Sequence, residues 1–169
     1  MGSNAGTIPE RVSGATVDVS GNDLDAAYPE TPRLFPLGRD ALADALAVTN
    51  AVEFAMTTLV DVGTRYFALR NDAAWAEVTK ERIGRAQDAI DSVAKRASRA
   101  YLAGDQWTAA DIWTLTATPW VANMAPRAAQ GTATQHVLQM LTLDLRLPDA
   151  LVAWARQHAR RPDVAAIYG

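Results

Sequence analysis

Four residues in this chain have the spacing and chemistry to meet a small molecule together. Phe54, Thr58, Asp61 and Arg65 follow i, i+4, i+7 and i+11. A helix through them puts a ring, a hydroxyl, a carboxylate and a guanidinium on one face. Tyr66 follows at once and adds a phenol. Such a set can orient a polar ligand or assist a proton transfer by positioning. It can equally be solvated helix surface, with Asp61 and Arg65 forming an ion pair of roughly 0.2–0.5 kcal/mol. Trp120, beside Pro119, either shapes a pocket or fills core. His136 and His158 are the only histidines and belong to no spaced metal motif, so no metal site is expected. Cysteine is absent, which excludes thiolate nucleophiles and disulfides. Gly63, Gly84, Gly104 and Gly131 stand alone, and no phosphate-cradling loop forms from them.

Helices must position these side chains. The segment 39–69 carries Leu42, Leu46, Val52, Leu59, Val60, Tyr66 and Phe67 on an apolar side. Asn71-Asp72 ends it and caps a second helix, predicted over 73–102, whose buried stripe runs Ile83, Ala86, Ile90, Val93, Ala97 and Tyr101. These two helices are expected to pair antiparallel. Thr108 and Asp111 form a capping box for a third helix, with Trp107 and Ile112 at the positions of a hydrophobic staple. That helix should run to about Met124, kinked at Pro119. Two more helices are predicted, over 134–143 and 149–160, the last with Leu151, Trp154, Ala155 and His158 on one side; a short turn then carries Val164, Ile167 and Tyr168. Residues 1–37 are rich in Gly, Ser, Thr, Asp and Pro and read as an extended or partly disordered arm, with a weak strand-like alternation at Val17 and Val19. Residues 38–169 read as one all-α bundle of about five to six helices.

Composition narrows the partners. A net charge of −3 gives no basic footprint for nucleic acid. The Arg156–Arg161 cluster is read as cations at a helix C-terminus. No run reaches the roughly 18 uninterrupted apolar residues of a membrane span, and the first residues lack the apolar core of a signal peptide. Cytoplasmic location and no membrane partner are the expectations.

Tyr101–Ile112 (YLAGDQWTAADI) resembles the segment that opens the central helix of the C-terminal domain in glutathione transferases. Ala27–Pro36 (AYPETPRLFP) is similar to the family's interdomain linker, and Pro148–Trp154 with Arg161-Pro162 resembles its closing helix. The resemblance covers about residues 25–169. It implies a helical domain whose first helix lines a ligand cleft. Phe54, Thr58, Asp61, Arg65, Tyr66 and Trp120 are its candidate lining residues. It also implies a homodimer through the first two helices. In the family a thioredoxin-like domain precedes the linker and supplies the glutathione site. Here fewer than thirty residues precede Tyr28, while a βαβ unit takes roughly 30. No residue of this sequence matches a glutathione-activating position, and no cofactor, glutathione included, is supported by the residues present.

Three functions follow as expectations. The favoured one is a non-catalytic module for ligand binding or protein assembly, its cleft holding a small apolar ligand. The second is an enzyme of altered chemistry on an apolar or biosynthetic intermediate, using Asp61, Arg65 and Tyr66. The third is a glutathione-dependent transferase completed by a separate thioredoxin-like chain.

Overall fold

The structure is a computed structural model that describes residues 21–69, 71–162 and 164–165. Its regular elements are α1 (Gly21–Ala27), α2 (Arg39–Leu69), α3 (Ala73–Ala94), α4 (Ala109–Ala122), α5 (Met124–Ala129), α6 (Gln135–Met140) with a 3-10 turn at Leu141–Leu143, and α7 (Asp149–Ala159). No strand occurs among the described residues. Val17, Val19, Ile167 and Tyr168 lie outside them.

Helix α2 is the axis of the bundle and packs on α3, α4 and α6. Its buried stripe is Ala45, Val48, Val52, Ala55, Leu59 and Val62, at alternating spacings of three and four. Leu46 and Val60, expected on the apolar side, are exposed instead. Small alanines take the buried positions and let neighbouring helices come close. Arg39–Arg65 is long and apolar enough by composition to cross a membrane; in this fold its buried stripe lies against the other helices.

The core has two parts. One joins the first half of α2 to Ile90 and Val93 of α3, Leu115 of α4 and Leu151 and Trp154 of α7. The other joins Leu59 and Val62 to Ile83, Met124, Val137, Met140 and Leu143. Leu145 packs against both. Between Val52, Met56, Thr114, Thr118 and Leu151 only about 10 Å³ remains open, near the minimum for a single water. There the first and third long helices are in close contact; farther along, a cavity of about 180 Å³ remains between Leu59 of α2, Val121 and Ala122 of α4, Met124 and Met140.

Three expectations change in detail. The second long helix stops at Ala94 rather than Leu102. The Arg96 guanidinium bonds Asp44 and the Leu102 carbonyl, and the Asp111 carboxylate takes the Leu102 N–H at 2.8 Å. These bonds hold the chain in turns where a helix would otherwise continue. α4 passes through Pro119 and ends at Ala122, and a separate α5 begins at Met124. The arm expected to be extended is helical at Gly21–Ala27. There Asp25 is buried and accepts from the Leu34 and Phe35 N–H groups at 2.7 and 2.9 Å. The Leu34 carbonyl in turn accepts from Ala109 N–H at 2.9 Å, which ties the 28–36 segment to the start of α4.

Candidate ligand groove and its frame

The residues singled out on α2 do share a side of the helix, but they do different things. Thr58 is buried, while Phe54 is exposed. Arg65 is exposed and donates to Asp61 at 2.7 Å. A second cation, unforeseen from sequence, comes from the neighbouring helix: Arg82 of α3 donates to the other Asp61 oxygen at 2.7 Å. Burial works against the Asp61 charge, but the hydrogen bonds and charges of Arg82 and Arg65 outweigh it and lower its pKa below the ordinary 3.8. Asp61 is thus a fixed anion clasping α2 to α3, which suits a structural tie better than a proton shuttle. Tyr66 lies on the last turn of α2, and its side chain is outside the described set. Trp120 stands exposed on α4.

A more capacious feature lies on α3. Trp75, Thr79, Lys80, Ile83, Gly84 and Gln87 recur at helical spacing along one side of that helix and face Leu143 and Asp144 across a groove of about 510 Å³. This is within the usual range for small-molecule sites. Two features shape the groove. Gly84 leaves open space: a Cβ built there meets nothing within 4 Å. Gln87 fixes the opposite wall, its amide donating to the Arg146 carbonyl at 3.0 Å and accepting from Arg146 N–H at 2.8 Å. Asp144 adopts φ 55, in the left-handed region, and turns the chain from the 3-10 segment toward α7.

Two polar atoms of this wall, Trp75 Nε1 and Thr79 Oγ1, are buried with no hydrogen-bond partner among the described residues. Sequence reasoning missed this site. The available signals were a Trp–Thr pair at i, i+4 beside the apolar stripe and a glycine in mid-helix, where it weakens the helix without an evident turn.

The capping box at Thr108 and Asp111 forms. Asp111 is fully buried and accepts from Thr108 N–H and from the Thr108 hydroxyl, both at 3.0 Å, besides Leu102. Burial raises its pKa above 3.8, opposed by those hydrogen bonds and by nearby His158. Ile112 is exposed, and Trp107 packs elsewhere than a staple: it stacks on Trp154 with centroids 6.3 Å apart, lies 5.2 Å from His158, and carries the Arg161 guanidinium 4.6 Å over its ring. Burial, then the Arg161 charge, lowers the pKa of His158 below 6.5; Asp111 and a hydrogen bond with the Ala100 backbone act against this. The His136 side chain is outside the described set. No group of three His, Asp or Glu side chains among the described residues could hold a metal.

No family model, curated protein or solved structure matches this chain. The class the geometry defines is an all-α bundle with a groove on its second long helix.

Proposed function

We propose that this chain is a helical binding module of the glutathione-transferase C-terminal type, which holds a small, largely apolar ligand in the α3 groove without transforming it. The observation that carries this is the groove itself: about 510 Å³ bounded by Trp75, Ile83 and Leu143, with its far wall clamped by Gln87. A preformed, partly apolar hollow on a rigid helix is the usual form of a small-molecule site. The motifs at 28–36, 101–112 and 148–162 support the family assignment, and the tie between Leu34 and Ala109 gives the linker-like segment a place on the helical domain.

The reading that needs Asp61 as an acid–base group is disfavoured, because two guanidiniums hold that carboxylate ionised. A dimer through α2 and α3, which the family assignment implies, would cover Leu46 and Val60 of α2 and Val78 of α3, all exposed in the single chain.

Titration with phenylnaphthylamine, an uncharged apolar fluorophore, tests the binding proposal. Saturable binding that disappears in Gly84→Leu and persists in Gly84→Ala is the expected result. Binding unchanged in Gly84→Leu would place the apolar site elsewhere.

A further inference from the structure

We infer that the chain carries a second binding site, an inner cavity beside the second half of α2 that takes a small uncharged molecule of one aromatic ring. The cavity measures about 180 Å³ and shares no lining residue with the α3 groove. Phe54, Thr58, Asp61, Arg65 and Trp120, the positions of the family's cleft, do not line it either. Its floor is Leu59 of α2 with Met124 and Met140, all buried. Val121 and Ala122 of α4 form one side. Leu141 and Ala125, both exposed, stand at the rim. A small molecule can therefore enter from solvent without unfolding a helix.

The lining decides the chemistry. Every described side chain around the cavity is hydrocarbon or thioether. None brings a charge or a hydrogen-bond donor, and a thioether sulfur accepts only weakly. The buried side-chain polar atoms without partners among the described residues lie elsewhere, on Trp75, Thr79, Trp154 and His158. Water held in the cavity would find too few of the polar partners it needs. An ionised ligand would lose its hydration and gain nothing in exchange. Size sets the other limit. An apolar cavity of roughly 150 Å³ accepts one benzene ring, so this one accepts a single ring and excludes the three rings of phenylnaphthylamine. Met124 and Met140 bring two sulfurs to the same space, and sulfur makes favourable contacts with an aromatic ring. Gly63 gives Met140 its seat on α2, since a Cβ there would lie 2.7 Å from Met140 Cγ.

The test titrates benzene into the full chain carrying methyl-labelled methionine and follows the methyl resonances. Of the four methionines, Met124 and Met140 should shift saturably under the ring current. Met56, in the tight gap beside Val52, should hold still. Benzoate, the same ring with a charge, should leave all of them in place. Ala122→Leu fills the cavity and should weaken benzene binding by at least about tenfold. Ala125→Phe, which blocks the rim, should do the same, and because Ala125 is exposed this variant keeps the fold even if the first does not. Gly84→Leu should leave the benzene shifts intact, which separates this site from the groove. Shifts that do not saturate, or that persist in both filled variants, would overturn the inference. Benzoate binding as tightly as benzene, or benzene shifts abolished by Gly84→Leu, would overturn it as well.

Discussion

Adding one methyl group at two helical glycines should move stability in opposite directions. Gly63 lies in α2 and Gly84 in α3, so both cost helix propensity, roughly 0.5–1 kcal/mol each relative to alanine. Around Gly84 a Cβ meets nothing within 4 Å, so Gly84→Ala should recover that amount in full. Around Gly63 the same Cβ lands 2.7 Å from Met140 Cγ, 3.5 Å from its Cε and 3.8 Å from its Cβ. Carbon atoms sit best at about 3.5–4.0 Å. Relief therefore needs a shift of about 1 Å, and Cγ is too near the backbone for a rotation of the methionine tip to supply it. α6 must move, and with it the second core cluster containing Val137 and Leu143. Overpacking of this kind costs about 1–3 kcal/mol. Set against the propensity gain, Gly63→Ala should lose roughly 0–2.5 kcal/mol. Urea unfolding at constant slope reads both changes as shifts of midpoint in opposite directions. Introducing Gly63→Ala into a Met140→Ala background should remove the penalty, a coupling that a double-mutant cycle measures. If Gly63→Ala is as stabilising as Gly84→Ala in the natural background, the close approach of α6 to α2 described above is wrong.

Asp111→Asn should lose about 2–4 kcal/mol by urea unfolding, because an amide leaves one of three buried donors facing an NH₂ group. Gln87→Ala should free the far wall of the groove, read as loss of hydrogen-exchange protection at the Arg146 amide. For His158 the folded pKa lies below 6.5, so the native state favours the neutral ring. Its contribution is present above pH 6.5 and is lost as pH falls from there through the folded value, since the unfolded chain takes the proton first. Asp111 has the opposite sign: its raised pKa makes ionisation above 3.8 unfavourable to the fold. The His158 part is isolated by comparing the natural chain with His158→Gln. The variant should lose less stability between pH of about 7.5 and 5.5, and parallel curves would refute the assignment.

Helix positions were readable because periodicity is local. The 39–69 stretch, the Asp72 cap, the Thr108–Asp111 box and the 149–160 helix all depend on residues within a few positions of one another. The places where expectation failed depend on distant partners. The end of α3 is decided by Asp44 and Asp111, and the helix at Gly21–Ala27 is tied down by its Asp25 carboxylate reaching Leu34 and Phe35. Which side of α2 is buried was misjudged at Leu46 and Val60, because hydrophobicity outranked size, and close packing selected Ala45 and Ala55. The candidate face on α2 was legible as a face, but Arg82 could be placed opposite Asp61 only by the fold. The α3 groove was not legible at all. It is a space defined by Gly84 having nothing beside it and by a loop that approaches from nearly sixty residues away.

The central claim is that ligand enters at α3, and the indole N–H resonances test it directly. There are five tryptophans, and Trp75→Phe assigns the one in the groove. On titration with phenylnaphthylamine, the Trp75 N–H signal should shift first and furthest, with Trp107 and Trp154 nearly still inside their stack. A titration that moves Trp113 or Trp120, exposed on α4, and leaves Trp75 in place would contradict the account.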